Sequence, residues 1–169
     1  MLYFNPLLDI NCLDHIEDLF EKRYNFKKFD LAYNMSQNKD IFETWMMEES
    51  DNIQELSKYY TEYQVVKQFN NQIKLLDDDD ELRLILVKLY KLYSYSKIKE
   101  DTQFFSLNSF VSKNTLKNVN NKINILNKDL GSISLDLVNS FGIPDWMIHA
   151  PMANNWEEYN SYQNNGELN

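Results

Sequence analysis

Residues that break helices are scarce in this sequence. Of 169 residues only three are glycine and three are proline, and none of either falls between Leu7 and Leu130. No Gly-rich loop is present to cradle a phosphate or pyrophosphate. Histidine is as rare: His15 and His149 are too few for a histidine metal site. Cys12 stands alone, so there is no intrachain disulfide and no cysteine-based zinc site, and a reducing compartment suits the chain. The expected role of Cys12 is that of a small buried hydrophobe.

Long apolar runs are also missing. Nothing approaches the roughly 18 continuous apolar residues that cross a bilayer, and the start, MLYFNPLLD, lacks the positive segment of a secretory leader. A soluble, intracellular protein is expected. There is no basic stripe either: 17 Lys and Arg are scattered among 26 Asp and Glu, giving a net charge of −9. That balance argues against binding the phosphate backbone of nucleic acid or anionic lipid.

What is present is apolar and aromatic: 43% hydrophobic residues and 14% aromatics. A chain of this size buries about 70% of the surface its unfolded form exposes, enough for one domain with a real core. Apolar residues recur at helical spacing from Leu13 through Ile16, Phe20 and Tyr24, then less regularly through Phe29, Leu31 and Met35. Trp45, Met46 and Met47 form a dense patch near a turn and are expected in the core. A second stripe runs Ile53, Leu56, Tyr60, Tyr63, Val66, Phe69 or Asn70, Ile73 and Leu76, with Ser50 and Asp51 placed to cap its start.

The run Asp77 to Asp80 invites a calcium reading. It lacks the alternate oxygens, central glycine and closing bidentate Glu of such a loop. It reads instead as a solvated turn whose last aspartates cap the next helix. That helix, Glu81 to about Lys97, is apolar almost all round and is expected in the middle of the bundle. Thr102 to Ser112 has aromatics but no sustained period and reads as a connection over the core. Asn114 is placed to cap a last long helix in which Leu116, Val119, Ile123, Leu126, Leu130, Ile133, Leu137 and Phe141 recur in steps of three and four. Gly131 interrupts this seam at a cost of about 1 kcal/mol relative to Ala, acceptable where another backbone passes close.

The seam ends in VNSFGIPDWMIHAP. Gly142 can take the left-handed conformation that closes a helix, Pro144 stops it resuming, and Asp145 starts a single turn, Trp146 to Ile148, ended by Pro151. A rigid corner carrying large apolar side chains folds back on its own core or docks on another surface. Beyond it, Trp156, Tyr159 and Tyr162 are spaced along a polar tail. The expected fold is all-α, an up-and-down bundle of about four helices. Residues 1–12 form a lead-in, 13–152 the helical domain and 153–169 the tail.

Glu17, Glu43, Glu55 and Glu62 fall on what reads as the solvated faces of helices, and His149 as a surface or capping residue. No catalytic, cofactor-binding or metal-binding residue is assigned.

The stretches VKLYKLYSYSKIKED, ISLDLVNSFGIPDW and HAPMA, in that order, resemble the C-terminal domain of acyl-CoA oxidases. Leu137, Val138, Phe141, Pro144, Asp145, Ala150 and Pro151 occupy places that match the family pattern, with Trp146 inside the same corner. LFEKRYNFKKFDLAYNMSQ is similar, more weakly, to the arginine-bearing first helix of that domain. Asn139 stands where the family usually has Asp, and Gln103 where Gly is common.

The resemblance implies a flavoenzyme family of peroxisomal fatty acid β-oxidation. Its members remove the α-proton of an acyl-CoA with a carboxylate base while a hydride passes to FAD, and oxygen then reoxidises the flavin to give hydrogen peroxide. It also implies that the base and nearly all flavin and CoA contacts lie in preceding domains, so this chain is expected to be inactive alone and to bind no cofactor by itself. A flavoprotein subunit of the same family, or a homodimer, is the implied partner. The implied compartment is the peroxisome, although the ending NNGELN is not a Ser-Lys-Leu address and leaves the cytoplasm as the alternative. Three further possibilities stay open: a helical interaction module for an unrelated protein, a degenerate fragment, and one half of an oxidase split into two polypeptides.

Overall fold

The computed structural model describes residues 8–37, 40–144, 147, 148 and 157. No strand occurs among them. The elements are α1 (Leu13–Gln37), α2 (Ile41–Glu43) running into a π turn (Thr44–Glu48), α3 (Ser50–Ile73), α4 (Glu81–Glu100), α5 (Thr102–Leu107), α6 (Lys113–Gly131) and α7 (Ser134–Asn139). The all-α expectation holds, with four long helices among them. The chain divides into two compact units, Met1–Leu130 and Gly131–Asn169.

Helix directions in the first unit follow from its cross-helix contacts. Lys27 of α1 pairs with Glu55 of α3, Arg23 with Glu62, and Asp14 with Lys74 just beyond α3, so contacts climb α1 as they descend α3. Lys58 reaches Glu100, Glu62 reaches Lys97, and Phe69 meets Tyr90 edge-on, so α3 and α4 are antiparallel too. Lys88 pairs with Asp129, while Lys122 lies over the Tyr95 ring, which turns α6 back along α4. The four long helices therefore alternate in direction, as short connections require.

Burial selects one stripe from each helix. Ile16, Leu19 and Phe20 of α1 meet Tyr63, Val66 and Ile73 of α3, the second half of α4 and Val119 of α6. The Tyr90 hydroxyl donates to the Leu13 carbonyl at 3.0 Å and that of Tyr95 to the Ile10 carbonyl at 2.9 Å. These bonds satisfy carbonyls at the entry to α1 and tie the lead-in to α4.

Several expectations give way. Helix α4 is fully buried only from Tyr90 on, through Tyr90, Ser94, Tyr95 and Ile98; Leu86 and Val87 pack against the core while partly covered, and Leu82 and Leu84 are exposed. The long leucine run is apolar on more faces than the bundle covers. On α3 Tyr63 is buried as the stripe implies, but its neighbour a turn earlier is Tyr59; Tyr60, one residue later, faces outward. Helix α3 has no side-chain cap, and Ser50 already lies inside it. Ser112, not Asn114, caps α6, accepting the Thr115 N–H at 3.0 Å. Asp80 caps α4 as expected, accepting the Leu82 N–H at 2.8 Å. The connection after α4 contains a short helix, α5, which drives Phe105 fully into the core. Trp45, Met46 and Met47 are exposed, because only Thr44 of the π turn faces inward. Cys12 is exposed as well, in the turn before α1 where its carbonyl accepts the Ile16 N–H.

In the second unit the seam does not continue as one helix. Helix α6 stops at Gly131 and α7 begins at Ser134, whose hydroxyl donates to the Gly131 carbonyl at 2.9 Å. No neighbouring group lies within 4 Å of where a Gly131 Cβ would sit, so no close approach explains the glycine. Its conformational freedom and the serine that competes for its carbonyl break the helix instead. Gly142 has φ +62°, the left-handed closure that the sequence implies.

Phe105 and Phe42 test this division of inside from outside. Phe105→Ala is expected to cost about 3–5 kcal/mol, and Phe42→Ala, at a residue 76% exposed, to stay within about 0.5 kcal/mol. Urea unfolding followed by helix signal measures both, and equal losses would contradict the packing.

Candidate functional site: a buried ion cluster

The polar centre of the first unit is Arg23. It sits on the core face of α1, three residues after Phe20, and its side chain is 1% exposed. A guanidinium cannot shed its proton in a protein, so its burial demands partners. Glu62 of α3 accepts from one terminal nitrogen, and Asp101, at the α4–α5 junction, accepts from the other at 3.3 Å. The flat faces of the group are covered by aromatic rings: its carbon lies 4.2 Å from the Tyr59 centroid, 4.8 Å from Phe20 and 5.4 Å from Phe105. Its Nε is buried without a partner.

A second layer surrounds this contact. Lys97 lies 3.7 Å from the other Glu62 oxygen and 2.8 Å from Glu100. The Tyr59 hydroxyl is 2.7 Å from Asp101 and 3.0 Å from Glu55, so its one proton serves two carboxylates. Glu55 also pairs with Lys27. Arg23, Lys27 and Lys97 thus face Glu62, Asp101, Glu55 and Glu100, three cations against four carboxylates. Burial, then the nearby Asp101 and Glu55 carboxylates, pushes the Tyr59 phenol far above its ordinary range. Burial alone would raise Glu55, but Lys27 and Tyr59 outweigh it and leave the carboxyl low.

Further along α1 and α3, Asn70 donates to Asp14 at 3.0 Å and Glu17 at 2.7 Å. A hydrogen bond from Lys74, then one from Asn70, holds the Asp14 carboxyl low. Two open grooves border the Arg23 cluster. One, of about 590 Å³, is lined by Ser57, Lys58, Thr61, Glu62, Tyr93 and Lys97. The other, of about 290 Å³, includes Phe26, Asp30, Glu55, Tyr59, Asp101 and Phe104.

The carboxylates expected on solvated faces need correction. Glu62 is buried against Arg23, Glu55 is partly covered by Lys27 and Tyr59, and Glu17 accepts from Asn70; only Glu43 is exposed. The missed signal was positional. Glu62 lies three residues after buried Tyr59 and four before buried Val66, on the apolar stripe itself.

Of the corner residues, Phe141 and Pro144 are exposed, and Pro144 accepts the Met147 N–H at 2.9 Å. Asp145, Trp146, Ala150 and Pro151 lie outside the described residues, as do His149, Tyr159 and Tyr162. His15 accepts the Asp9 N–H at 3.2 Å. No cluster of His, Cys, Asp and Glu fit for a metal occurs among the described residues. Asp78 of the acidic run pairs with Arg83 at 3.0 Å.

Removing one member of the buried pair leaves the other uncompensated. Arg23→Ala is expected to destabilise by about 3–5 kcal/mol, and Arg23→Met with Glu62→Leu by clearly less. Chemical denaturation of both decides it, and a harmless Arg23→Ala would show that the cluster does not clamp the fold.

The pH profile has a defined shape. Asp14, Glu55 and Glu100 are held low, Glu100 by its hydrogen bond from Lys97, so their contribution is full above the ordinary carboxylate range of about 4 and is lost as pH falls through their folded values. Tyr59 and Tyr90 are pushed far up, chiefly by burial, and burial pushes Tyr95 up to about 12. Their contribution is complete below about pH 10 and is lost above it. Urea midpoints should therefore hold a plateau from about pH 5 to 9 and fall at both ends. Phenolate absorbance from the buried tyrosines should grow with loss of helix, and its growth before unfolding would contradict their burial.

Comparison with known proteins agrees with the sequence resemblance. No curated protein matches the chain at a significant level. A family model described as acyl-CoA oxidase matches residues 13–156, a span holding all four long helices and the whole Arg23 cluster. That match covers most of the sequence, and the chain belongs to the acyl-CoA oxidase family.

Proposed function

We propose that residues 13–156 serve as the helical packing domain of an acyl-CoA oxidase, with the flavin and the acyl-CoA held by another part of the enzyme. In this reading the chain does not oxidise substrate alone. It works in peroxisomal fatty acid β-oxidation with a flavoprotein subunit or within a dimer. The observation that carries the reading is the family match together with how the interior carboxylates are spent. A base for acyl-CoA oxidation must reach the substrate α-carbon. Glu62 and Asp101 are instead turned inward on one guanidinium, and Glu55 is held by Lys27 and Tyr59.

The grooves do not suit FAD, the hydride acceptor of the family reaction. Its pyrophosphate needs free donors, preferably backbone N–H groups at a glycine turn or helix start. Beside the larger groove Lys97 is committed to Glu62 and Glu100, and the Ser57 and Thr61 hydroxyls donate to the carbonyls of Ile53 and Ser57 in their own helix. What remains is the exposed Lys58, 4.0 Å from Glu100, with no glycine turn or helix start among the lining residues to meet a pyrophosphate. This favours a flavin site elsewhere. The exposed Phe141 and Pro144 support the corner they belong to as a contact with the flavin-bearing body.

The test combines activity and association. The purified chain with FAD and a long-chain acyl-CoA should release no hydrogen peroxide, and it should retain a flavoprotein acyl-CoA oxidase subunit in a pull-down, with Phe141→Ser reducing recovery severalfold. Peroxide release by the chain alone would overturn the reading.

A further inference from the structure

The segment between α1 and α3 displays what a core normally hides. Ile41, Phe42, Trp45, Met46 and Met47 are all exposed, Phe42 at 76% and Met47 at 79%. Single exposed apolar side chains are ordinary, whereas five within seven positions mark a contact surface. The backbone makes this display deliberate. In the π turn, closed by the Glu49 N–H on the Thr44 carbonyl at 2.8 Å, three consecutive large residues point outward while Thr44 alone is buried.

The platform is also held at both ends. Asp40 caps its start by accepting the Glu43 N–H at 2.9 Å. At its far end Glu49 accepts from Asn52 at 2.7 Å, and Asn52 accepts from Lys27 of α1 at 2.6 Å.

Charge selects the occupant. Residues 40–51 contain Asp40, Glu43, Glu48, Glu49 and Asp51 and no Lys or Arg. An anionic membrane would be repelled. A symmetric contact between two copies would set this acidic rim against itself. We propose that residues 41–48 are a docking surface for a helix of a partner protein that has an apolar face and a Lys- or Arg-bearing rim. Met46 and Met47 supply an adaptable apolar floor, Trp45 a large anchor, and the carboxylates orientation and encounter rate. The inference does not rest on the flavin reading, since the failure of a flavoprotein to bind would leave the platform and its charge unchanged.

The probe is a synthetic helical peptide of Leu and Lys at amphipathic spacing, titrated against the full chain by fluorescence anisotropy. Its Glu-for-Lys counterpart and phosphatidylglycerol vesicles are titrated in parallel. The Lys peptide should bind, more weakly as salt rises, and the other two should not. Trp45→Ser with Met47→Ser keeps every charge, so attraction to the acidic chain at large is preserved. It should weaken binding by about tenfold or more without moving the thermal midpoint. Glu43→Lys, a second variant outside the apolar floor, should weaken it severalfold. Equal binding by the double variant would overturn the proposal, as would preference for the Glu peptide or the vesicles. Concentration-dependent dimerisation abolished by the double variant would overturn it in favour of a self-contact.

Discussion

A guanidinium that stays charged and is 1% exposed must be met by every element around it. Arg23 fixes what α3 must bring, a carboxylate at Glu62, and what the α4–α5 junction must bring, a carboxylate at Asp101. It also fixes why Tyr59, Phe20 and Phe105 crowd its faces. An apolar contact tolerates a slide of one helix along another, because leucine replaced by isoleucine still fills space. This contact does not. Moving α3 by one turn, about 5.4 Å, would strand the positive charge in the core and carry Glu62 away from it. The cluster therefore sets register as much as it adds stability, and the alternating direction of the long helices is read from the same kind of pairing.

That constraint explains what was legible in the sequence. Helix existence was plain, because apolar residues at three and four spacing need only a face to bury; α1, α3 and α4 lie where their stripes run, and α6 covers the last stripe from Leu116 to Leu130. The choice of face was less plain. Tyr59 and Tyr60 are adjacent and chemically alike, and only the demand of Arg23 for a ring and of Asp101 for a hydroxyl turns Tyr59 inward. The ion cluster is less visible, because a helical Glu taken by itself belongs in solvent. Glu62 becomes conspicuous once it is placed on the stripe with Tyr59 and Val66.

Other departures have separate causes. Burial was overestimated for Leu82, Leu84, Trp45, Met46 and Met47, since hydrophobicity states what a side chain gains from cover and not whether cover is within reach. The break after Gly131 was underestimated. A regular seam of leucines and isoleucines concealed that glycine, followed by two serines, offers the backbone better alternatives than another helical turn.

The distribution of polar chemistry has a functional consequence. A site that moves protons needs a group reachable by substrate. In the Met1–Leu130 unit the carboxylates nearest the interior neutralise Arg23, Lys27 and Lys97 and hold Asn70, while the large apolar side chains left over are carried outside. An interior locked by charge and an exterior rich in Trp, Met and Phe suit a body that holds its shape while something else rests on it. The hydrogen bond from Asn52 to Glu49 ties down one end of the turn, and a surface ordered before any contact would lose little conformational entropy on making one. The hydrogen bond from Lys27 to Asn52 joins the two regions, so a residue that pairs α1 with α3 also steadies the end of the exposed Trp45–Met47 turn.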